Sequence, residues 1–389
     1  MAEHSRASAA TAPCVYGPPV TVQPGRLRTQ ARRDVLVNGS AVDAAIATLL
    51  CLGVVHPQSL GLGGGFLMTV YNKSTGTSQV IDARETAPLA ASEDMFAENP
   101  ELYTMGGISV AVPGEIRGLW EAHQRYGQLP WSDLFRPAIR LAEEGTCVGT
   151  HLARALRTRK DVVLDRKNGL CDVFCDEDGA MVRENMTVKR PQLAKTLLAV
   201  ATGGADAFYT GEIAKNLVKD IREQGGIISE QDLLNYRAEY TKKMASKEFA
   251  DELRRKIDDT RMFDISHYGP AVAFPDVGGT SHVSVLGPNG DAVSATSSIG
   301  RYFGARFRSP STGVIPNSHM ELFTKRNSDG TRGRSWSPGR ELQPGKRGMT
   351  ALSPTIVLDR SGDVRLVIGG SGGVRIATAL TDVSALDFT

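Results

Sequence analysis

The chain has 389 residues, enough for one large α/β domain or about two smaller ones around an ample core. Its 41% hydrophobic and 23% charged content is ordinary for a soluble globular protein. The net charge of +2, without a basic run interleaved with aromatics, gives no case for nucleic acid or an anionic membrane surface.

Residues 1–30 are rich in Ala, Ser, Pro and Arg and are expected to form a loose arm. No apolar signal core follows Met1, and the most apolar window, residues 41–55, carries Asp43 and is shorter than the roughly 20 apolar residues a bilayer requires, so the chain as written is expected to be soluble. Ser40-Ala-Val-Asp43 is a capping box for a helix running to about Cys51 and ended by Gly53. A glycine cluster, Gly61-Leu-Gly-Gly-Gly-Phe66, then feeds a strand over 67–71. Dinucleotide sites run strand, glycines, helix, whereas here the order is helix, glycines, strand, which argues against a phosphate cradle. A second strand, 79–82, leads into Ala83-Arg84-Glu85-Thr86. Arg84 at a strand end suits a bidentate grip on a carboxylate, and it equally suits an ion pair with Glu85.

Pro113-Gly114 opens a helix through Tyr126, and residues 131–144 form another with Gly145 after it. Further helices are predicted at 192–201, 212–224, 230–235 and, exposed and amphipathic, 246–257. Asp276-Val-Gly-Gly-Thr280 then enters an alternating strand with Val283 and Val285, and Pro288-Asn-Gly290 turns it into a second run over 292–296. Thr280, approached by two residues without side chains, can simply open this hairpin or can serve as a nucleophile, and the Gly279–Thr280 peptide bond is unshielded. A Gly/Ser/Arg-rich loop over 327–347 precedes strands at 355–358 and 364–368, and Gly369-Gly-Ser-Gly-Gly373 leads to a closing apolar segment. Strands flanked by helices argue for a layered α/β architecture.

Five cysteines are an odd number, so at least one lacks an intrachain partner. Cys171 and Cys175 sit in a polar loop without a second Cys pair or a nearby His, which argues against zinc and allows a small-loop disulfide. Gly369-Gly-Ser371-Gly-Gly373 matches a nucleophile elbow, but no histidine follows Ser371, the last being His319. A serine-hydrolase reading therefore fails.

Six or more blocks in order resemble the gamma-glutamyltranspeptidases (glutathione hydrolases): Ser40 to Ala45, Pro57 to Phe66, Asp82 to Pro88, Val112 to Gly118, Gly278-Gly-Thr-Ser-His282, Ser294-Ala-Thr-Ser297, Tyr302-Phe-Gly304, Arg308-Ser-Pro310, Gly313 and the late Gly-Gly pair. The resemblance implies an N-terminal-nucleophile hydrolase, a four-layer αββα sandwich, here shortened. It divides the chain into the arm at 1–30, a large-subunit-like segment at 31–279 and a small-subunit-like segment at 280–389, together one domain. The precursor would cut itself between Gly279 and Thr280 into pieces of 279 and 110 (389 − 279) residues that stay together as a heterodimer. Thr280 would then take a γ-glutamyl group from glutathione or a related amide and pass it to water or to an acceptor amino acid or peptide. The freed α-amine, with a pKa near 8, would act as its general base, so that no His–Asp pair and no metal or cofactor is needed. Gly372 and Gly373 match the oxyanion-hole glycines, Ser298 a hydroxyl assisting the nucleophile, and Arg84 the arginine holding the substrate α-carboxylate. The family location is the plasma membrane or the extracellular space.

Substrate recognition departs from the pattern. Gly300 stands where the family has an asparagine, and His319 and Leu322 stand where it has two acids for the substrate ammonium, leaving Glu321 as the nearest carboxylate. Of two serines that bind the α-carboxylate, Thr350 keeps a hydroxyl and Ala351 does not. Charged hydrogen bonds are worth about 1.5–3 kcal/mol each, so γ-glutamyl specificity is expected to be weakened or altered. A block near residues 239–242 and the elements after the late glycines are missing relative to the family. The competing reading is an inactive relative that acts by binding.

Overall fold

A computed structural model of the chain describes residues 38–241, 246–261, 263, 267, 278–323 and 340–386; the arm at 1–30 and most of the loop at 327–347 lie outside the described residues. Helix α1 (Ala41–Val55) starts as its capping box predicts: Ser40 Oγ accepts from Asp43 N, and Asp43 Oδ2 accepts from Ser40 N. The same carboxylate also accepts from the amides of Gln128 and Leu129, so one buried acid ties the helix start to the loop behind it. Gly53 does not end this helix. It lies inside it, where a Cβ would stand 3.1 Å from Gly61 Cα, and the glycine admits the neighbouring loop rather than stopping the chain.

Strands β1 (Gly65–Asn72) and β2 (Thr77–Asp82) pair antiparallel. Helices α2 (Glu115–Tyr126), α3 (Trp131–Glu144), α4 (Pro191–Gly203) and α5 (Gly211–Glu223) follow close to their predicted bounds. The exposed helix predicted at 246–257 is shorter, Lys247–Arg254, with Ser246 accepting from Phe249 N at its start. Strands β3 (Glu239–Thr241), β4 (Gly279–Leu286) and β5 (Ala292–Gly300) complete one antiparallel sheet in the order β3-β2-β1-β5-β4.

Alternation gives this sheet two different faces. Phe66, Met68, Val70, Ile81, Val283, Val285, Val293 and Ala295 are buried in the main core with α1 and its neighbouring helices. The opposite face carries hydroxyls, and these bond to backbone carbonyls of the closing segment: Thr69 to Pro354, Ser284 to Val367 and Ser294 to Ile368. That segment contains the hairpin of β6 (Thr355–Leu358) and β7 (Val364–Ile368), a second and much smaller sheet. Helix α6 (Arg375–Leu386) follows, and its Ile376 and Leu380 are buried with Leu67 and Leu352. The layers are thus helices, a five-stranded sheet and a two-stranded sheet, with α6 beside it.

Cys171 and Cys175 form the small-loop disulfide that the sequence allows. Among the described residues, no helix is long and apolar enough to cross a membrane, and no cluster of His, Cys, Asp and Glu could hold a metal ion.

Candidate active site

Alternation along β4 and β5 turns Thr280 and Ser298 towards the β6–β7 side, between the two sheets. They are direct cross-strand partners, but Gly279 pairs with Gly300, so Ile299 is an extra residue and the register shifts between Gly279 and Thr280. A β-bulge therefore sits at the peptide bond expected to break. A Cβ at Gly279 would meet the backbone oxygens of Arg301 at 2.5 Å and Gly300 at 2.7 Å, so only glycine fits before Thr280.

Thr280 is buried, and its Oγ1 donates to Ser298 Oγ at 3.1 Å. Ser298 Oγ in turn donates to the Gly279 carbonyl oxygen at 2.7 Å and accepts from Gly300 N at 3.0 Å. A hydroxyl, the carbonyl beside it and a polarising donor are thus held together at one bond. Thr280 and Ser298 border a narrow cavity with Arg84, His319, Leu322, Thr350, Ala351 and Gly373. The cavity brings together most of the residues expected from the sequence. Gly372 and Gly373 both have positive φ, 129° and 60°, and neither amide donates to another group among the described residues. Thr350 Oγ1 accepts from Leu352 N, which orients this hydroxyl at the rim.

Glu321 departs from its expected place. It does not border the cavity: Arg301 Nε donates to its Oε2 at 2.8 Å, and Ser318 Oγ lies 3.4 Å from its Oε1. Its charge is balanced by protein before any ligand arrives. Gly300 has φ 91°, and a Cβ there would stand 2.5 Å from Ser318 Oγ, so backbone and packing both select glycine where the family pattern has asparagine.

Arg84 is buried at the cavity wall. Its Nη1 lies 3.3 Å from Glu85 Oε2, and its Nε has no hydrogen-bond partner among the described residues. The ion pair with Glu85 forms, and the same arginine lines the cavity.

The sequence reading missed a further partner. Although the chemistry expected from the sequence needs no His–Asp pair, His319 Nε2 lies 3.3 Å from Ser298 Oγ and His319 Nδ1 lies 2.8 Å from Glu85 Oε1. His319 and Glu85 are 234 residues apart (319 − 85), so no local signal joins them. Burial pushes Glu85 upward, but Arg84 and His319 together outweigh it and hold the carboxyl below its ordinary value. Burial, reinforced by Arg84, holds His319 below the usual imidazole range despite Glu85. The pair therefore rests as a carboxylate and a neutral ring.

Behind the site, Ser297 Oγ donates to Glu115 Oε2 at 2.8 Å in the first turn of α2. Burial raises this carboxyl to about 8.

The gamma-glutamyltranspeptidase family model matches residues 29–244 and 238–386. Scoloptoxin SSD14 of Scolopendra dehaani is 38% identical over 88% of this chain and 73% of its own length. Glutathione hydrolase 2 of Arabidopsis thaliana is 34% identical over 95% of this chain and 77% of its own. Among solved structures, the gamma-glutamyltranspeptidase of Helicobacter pylori is 31% identical with a TM-score of 0.54, covering 59% of this chain and 67% of that one. A cephalosporin acylase from Bacillus halodurans, 22% identical, has a TM-score of 0.65 over 86% of this chain and 77% of that one, a likeness of fold. The fold is the N-terminal-nucleophile hydrolase sandwich, with its second sheet reduced to one hairpin among the described residues. The chain belongs to the gamma-glutamyltranspeptidase family.

Proposed function

We propose that this protein is a γ-glutamyl hydrolase and transferase that cuts itself between Gly279 and Thr280 and then works through the freed Thr280. The observation that carries the reading is the contact chain from Thr280 Oγ1 to Ser298 Oγ to the Gly279 carbonyl, set on a bulge at the wall of a cavity. Once the bond is cut, the new α-amine has a pKa near 8 and draws the proton from Thr280 Oγ1 as it attacks a γ-glutamyl carbonyl. The amides of Gly372 and Gly373 receive the developing oxyanion, and one such donor is typically worth about 3 kcal/mol. Arg84 takes the substrate α-carboxylate, helped by the hydroxyl of Thr350. The amine product leaves with the proton, and water or an acceptor amino acid or peptide then takes the acyl group from Thr280. Glutathione and other γ-glutamyl amides are the substrate class. The two chain pieces, which meet at the paired strands β1 and β5 of one sheet, remain associated.

The test is a denaturing gel of the full chain beside Thr280→Ala, with amino-terminal sequencing of any smaller band. Two fragments from the parent, the smaller beginning at Thr280, and one intact band from the variant are expected. A soluble, folded parent that stays in one piece would overturn the proposal.

A further inference from the structure

Self-cleavage needs a base before the α-amine exists, because in the precursor that nitrogen is locked in the peptide bond. Thr280 Oγ1 has a single described hydrogen-bond partner, Ser298 Oγ, and a neutral hydroxyl is a poor final home for a proton. Ser298 Oγ accepts from Thr280 Oγ1 and Gly300 N, which leaves its one hydrogen to donate. Two acceptors lie within reach of that hydrogen, the Gly279 carbonyl at 2.7 Å and His319 Nε2 at 3.3 Å.

The protonation of His319 follows from the other side of its ring. Glu85 Oε1 stands 2.8 Å from Nδ1, within ion-pair distance though not aligned as a hydrogen bond, and the negative charge on that side favours the ring hydrogen on Nδ1, leaving Nε2 as the acceptor. Glu85 cannot turn away, since it is buried and its second oxygen faces Arg84 Nη1. The acceptor nitrogen of His319 is thus aimed at the only hydroxyl that touches Thr280 Oγ1 among the described residues.

We infer that Ser298, His319 and Glu85 form a proton relay for the self-cleavage of this chain, with His319 as the terminal acceptor and Glu85 positioning it. This rests on the self-cleavage reading above and adds to it the group that receives the proton. As Thr280 Oγ1 bonds to the Gly279 carbonyl carbon, its proton passes to Ser298 Oγ while the Ser298 hydrogen passes to His319 Nε2. The carbonyl π pair moves onto oxygen. The resulting imidazolium lies against the Glu85 carboxylate. When the tetrahedral centre collapses, the Gly279 C–Thr280 N bond breaks and the proton returns through Ser298 to the leaving nitrogen. The Gly279–Thr280 ester is then hydrolysed by water to a Gly279 carboxylate and a free Thr280 hydroxyl. His319 faces Arg84 and Glu85 at the end of β2 and Ser298 on β5, and burial with the Arg84 charge keeps its ring neutral near neutral pH, ready to accept.

The experiment follows cleavage of freshly translated full-length chain over time on denaturing gels. His319→Ala is expected to cleave at least tenfold more slowly than the parent and to recover on addition of millimolar imidazole. Glu85→Gln is expected to be slowed as well, because the imidazolium loses its anion. The parent rate is expected to rise with pH as His319 loses its proton, a limb absent from His319→Gln. His319→Gln cleaving at the parent rate would overturn the relay, as would a folded His319→Ala chain that imidazole does not accelerate. If the alanine variant does not fold, a Glu85→Gln chain that cleaves at the parent rate overturns it instead. A parent that never cleaves defeats the self-cleavage reading itself, so the two failures are distinct.

Discussion

His319 stands where the resemblance puts an acid, and its surroundings bear on recognition of a substrate ammonium. The wall of the cavity holds Arg84, His319 and Leu322, while the nearest carboxylates are occupied: Glu85 by Arg84 and His319, Glu321 by Arg301. A substrate ammonium entering here meets no uncommitted anion among these groups, whereas its α-carboxylate meets a buried guanidinium with an unpartnered Nε. A charged hydrogen bond is worth about 1.5–3 kcal/mol, roughly a tenfold to hundredfold factor, and that discrimination is absent for the ammonium. A γ-glutamyl anilide and its desamino analogue, glutaryl anilide, are therefore expected to differ by about threefold or less in kcat/KM. A hundredfold preference for the γ-glutamyl compound would reveal an ammonium partner that this arrangement does not provide.

At the scale of elements, the bulge in the β4–β5 pair does the positioning. One extra residue, Ile299, lets Ser298 face Thr280 while Gly300 pairs with Gly279, so the Ser298 hydroxyl reaches the carbonyl before the nucleophile. The close approach of Gly279 to the backbone of Gly300 and Arg301 keeps that geometry tight. Gly279→Ala, made in the uncleavable Thr280→Ala background, is expected to lower unfolding free energy by about 1–3 kcal/mol, as overpacking against backbone does, read as a lower urea midpoint. An unchanged midpoint would show that the bulge yields easily and is not a constraint on the site.

For the molecule as a whole, buried Glu115 and the shielded histidines tilt stability with pH in opposite senses. Glu115 titrates at about 8 when folded against an ordinary 4.5, so the folded state holds an extra proton between those values and stability falls as pH rises through them. His282, partly buried with hydrogen bonds to Thr296 and Ser284, is pushed down to about 4 against an ordinary 6.5, so its contribution is complete above 6.5 and is lost as pH falls towards 4. Between about 4.5 and 6.5 the fall due to Glu115 is opposed by His282 and by His151 and His319, also held below the imidazole range, and from 6.5 to 8 Glu115 acts without them. Thermal midpoints are expected to decline as pH rises from 6.5 towards 8. Glu115→Gln, which keeps an acceptor for Ser297, is expected to abolish the decline. A variant with the same decline as the parent would assign it to another group.

The local patterns were legible in the sequence. The Ser40 capping box, the Thr280 hairpin with its Pro-Asn-Gly turn and the spacing of motifs that marks the family all act over a few residues, where capping and alternation decide the outcome. Gly53 was misread because a glycine looks like a helix stop until the loop packed against it is known. Only the tertiary structure joined Glu85 to His319 and His319 to Ser298, and only it drew Glu321 to Arg301 and away from the cavity. Which buried charges meet depends on how the strand ends and the turn at 319–322 converge, and that convergence is set by packing of distant segments rather than by any local period.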